Sequence, residues 1–332
     1  MSIRFWALLT LMLGGGTLVA QAQDTMPEQA AAEAAESGEA PAAISPAEAL
    51  ARAFFDWAHE QGAAAPEIAV TYRGAVVLTQ AEGVEPGAPR ELASMSKAIT
   101  AQCLAGLVEE GRLRWSDTMA ARLGGTGAPG VITVAQLVTH SAGLPDRTQE
   151  AMPGWLTEGD WRSVAEWPMA DLIPTADDTP PAYRYSNENY ALLGSVVEAV
   201  TGQPYGVACD GVLPAASISE TTGAFGPMGG WQAPLADYAM FHAMLYGDRP
   251  AQGPATVISA PVVYGLGMVG RPLGEDWIWW HNGMLCMEDV QAAAYSVLWR
   301  GGWGVTVAVD SCPGWEGLEA LDLALVEALP DE

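Results

Sequence analysis

The chain has 332 residues, half of them hydrophobic, with 14 basic and 40 acidic side chains and a formal charge of −26. That length and apolar content suffice for one large core, or for a domain with a sizeable subdomain, and exclude disorder as the default. The acidic excess repels phosphate backbones and anionic lipid surfaces and no basic patch offsets it, which excludes nucleic acid as a partner, and the same excess suits a salty environment as a solubility adaptation.

In chain order, Arg4 precedes the apolar run FWALLTLMLGGGTLVA and then Ala20-Gln21-Ala22, a small-x-small pattern. Residues 1–22 are therefore read as a secretory signal. The competing reading, a retained membrane anchor, is disfavoured because the run is short, interrupted by glycine and followed by a cleavage pattern. No cysteine lies beside that site to accept lipid. The expectation is a periplasmic or secreted protein with no stable membrane insertion after cleavage. In such a compartment Cys103, Cys209, Cys286 and Cys312 can form disulfides, with three pairings open, and no two of them are close enough in sequence to suggest metal binding. Residues 23–44, rich in alanine and glutamate with Pro27 and Pro41, read as a flexible acidic linker.

The folded domain is expected over 45–330. It opens with a helix: Ser45 is an N-cap, Pro46 takes the first helical position, Leu50, Phe54, Phe55 and Trp57 give the apolar spacing, and Gly62 closes it. IAVTYRG and AVVLTQAEG follow as a hairpin split at Arg73-Gly74. The stretch from Ser94 to Gly111 is apolar on most faces and reads as a largely buried helix with Ser94 in its first turn. The segment from about 115 to 255 shows short helical patterns broken by Gly and Pro, with Trp155, Trp161, Trp167 and Trp231 scattered through it, and is expected to be a mostly helical subdomain. After Pro261 the pattern becomes strands: VVYGLGMV, DWIWWHNGML, VQAAAYSVLWR and WGVTVAVDSC. The helix WEGLEALDLALVEAL closes the chain. Strands at both ends around a helical block imply an α+β fold. Its antiparallel sheet is assembled from both chain ends and flanked by the terminal helices, with the active site between the sheet and the inserted subdomain.

Thirteen of the 14 basic residues are arginines, and Lys97 is the one lysine. A guanidinium does not release its proton at ordinary pH, whereas a buried lysine amine can be tuned into a neutral base. Chance alone would put a serine three residues before that lysine about one time in 20, so the position by itself is only suggestive. The spacing sets Ser94 and Lys97 on one helix face, one turn apart and within hydrogen-bond reach. The helix N-terminus adds N–H groups and positive potential for an attacked carbonyl that becomes an oxyanion.

Three short motifs stand in order: Ser94-Met95-Ser96-Lys97, Tyr185-Ser186-Asn187 and His281-Asn282-Gly283. With them the sequence resembles the serine β-lactamase and penicillin-binding protein superfamily, whose signatures are S-x-x-K, then Y-x-N or S-x-N, then K-T-G or H-x-G. It is most similar to the class C β-lactamase-like branch, which includes DD-peptidases, D-aminopeptidases and esterases. The strings LVTHSAGLPD, YSNENYALLGSVVEAVTGQPY and YGLGM extend the resemblance over about 47 to 328.

The resemblance implies a serine hydrolase that forms an acyl-enzyme on Ser94 without metal or cofactor. A serine hydroxyl needs a base in contact, and Lys97 fills that role. Tyr185 would share or relay the proton if nearby cations depress its phenol, would protonate the leaving group and would later activate the deacylating water. Asn187 would bond Lys97 and the substrate's acyl side, and His281, Asn282 and Gly283 would line the opposite wall. The backbone N–H groups of Ser94 and Met284 would form the oxyanion hole. The implied substrates are esters, D-amino-acid peptides, or peptidoglycan-derived and β-lactam-like molecules. The alternative is a catalytically impaired penicillin-binding-type sensor or scaffold.

Each residue also has a bland reading: Tyr185 as a core tyrosine, Asn187 as a helix cap, His281 as an interface histidine. His140, in the THSAGLP loop, is expected to support the site structurally, and His59 and His242, in helical patterns, to be structural. Trp277, Trp279 and Trp280 read as sheet packing, one of them bordering the cleft. The chain departs from the family after H-x-G, where Met284-Leu285-Cys286-Met287-Glu288 replaces glycines and a longer loop. Cys286 and Cys312 fall near corresponding strand ends and are taken as one disulfide, leaving Cys103 with Cys209. His281 stands where many relatives carry a lysine for a substrate carboxylate, which makes efficient penicillin hydrolysis unexpected. Arg271, on the preceding strand, is the substitute anchor.

Overall fold

A computed structural model describes residues 44–124, 128–157, 159–163, 182–247 and 249–329. The stretch read as a signal, nearly all of the acidic linker, and Trp167 lie outside the described residues. Helix α1 (Pro46–Glu60) starts on a reciprocal cap. Ser45 Oγ accepts from Glu48 N, and the Glu48 carboxylate accepts from Ser45 N at 2.7 Å. Strands β1 (Glu67–Tyr72) and β2 (Ala75–Ala81) form the expected hairpin. Arg73 and Gly74 both take positive φ, 50° and 81°, which gives a two-residue turn the twist of the strands it joins.

Strand β3 (Arg90–Glu91) leads into a 3-10 turn over Ala93–Met95 and then helix α2 (Ser96–Glu109). Ser94 thus sits in the tight turn just ahead of the helix rather than in the helix's own first turn. The helical block follows as α3 (Met119–Leu123), α4 (Val134–Val138), α5 (Thr148–Trp155), α6 (Asn187–Thr201) and α7 (Tyr205–Cys209). Strands β4 (Ser217–Ile218) and β5 (Trp231–Ala233) come next, then α8 (Leu235–Leu245). The chain returns to sheet through β6 (Ala255–Ser259), β7 (Val262–Gly265), β8 (Met268–Leu273), β9 (Asp276–Cys286), β10 (Gln291–Leu298) and β11 (Trp303–Val309), and ends on α9 (Gly314–Ala328).

The main sheet has the order β2-β1-β11-β10-β9-β8-β7-β6, antiparallel throughout, and β3-β5-β4 form a small second sheet. The N-terminal hairpin pairs with β11, so both chain ends do build one sheet. The sequence reading needs three corrections. VVYGLGMV is two strands, because Leu266 and Gly267 turn the chain at φ 50° and 84°. Strand β6 precedes Pro261, so the sheet resumes earlier than the residue pattern indicated. Strands β3, β4 and β5, two or three residues long, are too short to show any periodicity.

Side-chain alternation sorts the sheet into two faces. Ile68 and Val70, Ala293, Tyr295 and Val297, and Val305, Val307 and Val309 point to one face, where Leu50, Phe54 and Trp57 of α1 and Leu318, Leu321 and Leu325 of α9 cover them. Ala69, Ala294 and Ala308 point to the other, where they join the core shared with α2, α6 and α8. Strands buried on both faces read as continuous apolar runs, which is how β10 and β11 look in the sequence. Both expected disulfides are present: Cys103–Cys209 joins α2 to α7, and Cys286–Cys312 joins the end of β9 to the segment before α9. Among the described residues no helix is long and apolar enough to cross a membrane.

Candidate active site

The turn that carries Ser94 is held from both sides. Leu92 N donates to Trp231 O at 3.0 Å, and Trp231 N donates to Ser96 Oγ at 3.1 Å, so β5 ties the two ends of the turn together. Ala93 between them sits at φ 45°, a conformation a side chain disfavours and which persists because its neighbours fix it. The result is a serine pushed out ahead of a buried helix.

Ser94 Oγ lies 3.0 Å from Lys97 Nζ and accepts a hydrogen bond from Tyr185 OH at 3.0 Å. Lys97 is fully buried, and Nζ also donates to Asn187 Oδ1 at 2.8 Å and to Met228 O at 2.7 Å. Burial lowers its pKa to about 7, and the Asp146 carboxylate works against that shift. A neutral amine has two N–H bonds and one lone pair. The two shorter contacts are to atoms that only accept, so they take the N–H bonds and leave the lone pair toward the Ser94 hydroxyl. Tyr185 behaves differently from the expectation of a depressed phenol: burial pushes its pKa up, and its hydrogen bond to Ser94 only partly offsets this. Its hydroxyl keeps its proton and is a donor, although Lys97 Nζ lies 5.0 Å from its ring centroid.

Asn187 is the first residue of α6, and the N-cap is its neighbour Ser186, whose Oγ accepts from Glu188 N at 3.1 Å. Asn187 is therefore free of capping. Its N and Nδ2 both donate to the Asp146 carboxylate, at 3.2 and 3.4 Å, which turns Oδ1 toward Lys97. Asp146 is a member of the site that sequence reasoning missed, although it ends the quoted string LVTHSAGLPD. His140 supports the same segment: its Nδ1 accepts from Ser186 N at 3.3 Å and from Asn189 Nδ2 at 2.9 Å, which places the ring proton on Nε2. Burial holds it neutral, and its ring packs 4.4 Å from that of Tyr185.

The opposite wall is β9. Its ladder with β8 ends at Trp280, so from His281 onward the edge away from β10 has no strand beside it among the described residues. A side chain at Gly283 would meet Leu92 O at 2.5 Å and Ser94 N at 2.7 Å, so glycine here lets the strand run against the Ser94 peptide itself. Gly267 does the same for the β7–β8 turn, where a Cβ would lie 2.6 Å from the Ala98 backbone. His281 faces the cleft and is held neutral at a pKa of about 3, by burial first and then by Lys97 and His242. His242 is likewise buried and neutral, bonded through Nδ1 to Ser296 Oγ at 2.7 Å, while His59 makes an exposed pair with Glu82.

Ser94, Tyr185, Asn187, His281 and Met284 all border one cleft of about 700 Å³. Arg271 does not. It is exposed and lines a separate groove, lined also by Ile278, Trp280 and Leu318, beneath the terminal-helix face of the sheet. Asn282 borders both spaces; it pairs with Tyr295, whose side chain belongs to the terminal-helix face. None of Trp277, Trp279 and Trp280 lines the cleft: Trp279 is buried with Nε1 donating to Arg249 O at 2.8 Å, Trp277 stacks on it, and Trp280 lines the separate groove. Trp315, at the start of α9, borders both the cleft and that groove.

A family model described as beta-lactamase matches residues 47–222, more than half of the chain, and the chain belongs to that family. An Escherichia coli strain K12 protein, named provisionally as a D-alanyl-D-alanine carboxypeptidase, is 30% identical over 145 residues, covering 40% of this chain and 33% of that protein. The chain spans about a third of the length of the curated relatives it matches. Among solved structures it is similar to SurE with D-Leu (TM-score 0.70, 22% identity, 85% of this chain and 75% of that one). It also resembles a D-stereospecific amidohydrolase from Streptomyces sp. (0.67, 22%, 85% and 98%) and the D-amino acid amidase of Ochrobactrum anthropi SV3 with L-phenylalanine (0.68, 16%, 85% and 98%). At these identities the likeness is one of fold.

Proposed function

We propose that the protein is a serine hydrolase that cleaves an ester or amide through an acyl-enzyme on Ser94. The observation that carries the reading is the Lys97 amine: desolvated, its two N–H bonds engaged by Met228 O and Asn187 Oδ1, and its lone pair left for the Ser94 hydroxyl. Ser94 Oγ bonds to the substrate carbonyl carbon as its proton passes to Lys97 Nζ. The carbonyl electron pair moves to oxygen, where the N–H groups of Ser94 and Met284 are the proposed donors. The bond to the leaving group then breaks. Tyr185 OH, beside Ser94 Oγ, is the donor for the departing atom, and the Lys97 ammonium replaces the proton it gives. Water attacks the acyl carbon, loses a proton to Lys97, and Ser94 leaves with a proton in turn.

The apolar N-terminal run and the two disulfides support an exported protein, acting in the periplasm or outside the cell. Incubation with a fluorophosphonate should add one phosphonyl mass to the wild type, on the peptide containing Ser94. Ser94→Ala should add none, and Lys97→Arg should react far more slowly. An unmodified wild type sinks the nucleophile assignment. A labelled penicillin that forms a lasting adduct, with no turnover of any ester or amide, would favour the sensor reading instead.

A further inference from the structure

We infer that the Ser94 cleft takes a substrate that is uncharged and apolar beside the scissile bond, with no anchor among the described residues for a carboxylate or an ammonium group. The inference rests on the acyl-enzyme reading and names its substrate class.

Among the described residues no Asp, Glu or Arg lines the cleft of this chain, whose formal charge is −26. Its apolar lining includes Met152, Phe225, Met228, Leu285, Met287 and Trp315. The charged groups nearby are committed elsewhere. Lys97 stands behind Ser94 with all three of its contacts used. Asp146 accepts from Asn187, Thr148 and Gln149. Arg147 wraps the buried Glu188 carboxylate through its N, Nε and Nη2. His281, the imidazole on the β9 wall, is held neutral by burial first and then by Lys97 and His242, and Arg271 lies in the groove behind the sheet.

A carboxylate placed in this cleft would lose its water and gain no counter-ion, and an ammonium would fare the same. The negative field of the whole chain adds to the penalty for an anion as it approaches. Methionine side chains, unbranched and polarisable, adapt to varied acyl shapes and make shape a weak filter beside charge. A penicillin carries a carboxylate and an amino acid amide an ammonium, so neither meets a matching charge here.

The test is a matched set of p-nitrophenyl esters: butyrate, hemifumarate, whose trans double bond keeps its terminal carboxylate from attacking the ester, and 4-(trimethylammonio)butyrate, whose terminal cation has no lone pair to cyclise with. The chain length and leaving group are constant. The expected result is a kcat/KM for the butyrate at least 100-fold above either charged ester, and a hemifumarate disadvantage that shrinks at least tenfold in His281→Lys. Charged esters hydrolysed within tenfold of the butyrate overturn the inference, whatever the variant does. The corresponding anilides, competing with fluorophosphonate labelling of Ser94, read the same preference without turnover; equal protection by charged and neutral anilides also overturns it. A fluorophosphonate adduct together with a preference for a charged ester fails this inference alone, whereas no adduct fails the acyl-enzyme reading beneath it.

Discussion

The two faces of the main sheet are built by opposite rules. Toward α1 and α9 the strands present valines, Tyr295 and Ile68, and stability comes from apolar area removed from water. Toward α2 and α8 the central strands present Ala69, Ala294, Ser296, Thr306 and Gly283, small beside Trp279 and Leu285 on the same face, and at Gly283 what matters is how closely backbones approach. One sheet thus separates its duties: bulk on one face holds the fold, and the missing side chain of Gly283 on the other lets β9 lie against Ser94. Substitutions on the two faces should therefore fail in different ways.

The largest effect is expected at the base. Lys97→Arg keeps a cation but removes the amine that can be neutral, so kcat/KM should fall by about 10³-fold or more while the far-ultraviolet circular dichroism stays close to wild type. Leu321→Ala, on the covered face, should cost about 2–5 kcal/mol in denaturant unfolding and leave kcat per folded molecule unchanged; a fall in kcat there breaks the separation of duties. Gly283→Ala should do the reverse, lowering kcat by about 10²-fold or more through a displaced oxyanion site, with a smaller loss of stability.

Protonation sharpens the same comparison. Activity should need neutral Lys97, so kcat/KM should rise through an acid limb near pH 7, with no second limb from Tyr185 in the ordinary phenol range. Because Asp146 holds the Lys97 pKa up, Asp146→Asn should move that limb to lower pH, with a loss of about tenfold in kcat from a less fixed Asn187. The sign for stability follows from the same shift. Between about 7 and 10.5 the folded lysine is neutral and the unfolded one charged, so the unfolded state binds more protons and stability rises with pH. Lys97→Met should therefore gain most over wild type at or below pH 7, and the gap should close toward pH 10.5 in chemical unfolding curves.

Much of this was legible in the sequence. The cap at Ser45, the turn at Arg73-Gly74 and the apolar strands β10 and β11 rest on local rules that the tertiary structure did not override. Ser94, Lys97, Tyr185, Asn187 and His281 meet because three motifs carry side chains with specific chemistry. Other parts left no such mark. Met228 contributes a backbone oxygen that any residue would supply. The side of the sheet that Arg271 faces depends on where the β7–β8 turn falls, and one residue of register reverses it. A proton relay by Tyr185 required its phenol to be depressed by neighbouring charge, but burial raises it and no sequence pattern reports burial. Trp315 reaches the cleft only because α9 begins there.

Burial of Lys97 has a practical consequence. The chain offers amine-directed reagents no side-chain target on its folded surface, so coupling to a support or a dye is left to its exposed carboxyl groups or its backbone terminus. The same silence makes a built-in gauge of opening: any acylation of Lys97 by a bulky amine-directed reagent counts molecules whose helix α2 has come away from the sheet, and it is read on one peptide apart from the terminal one.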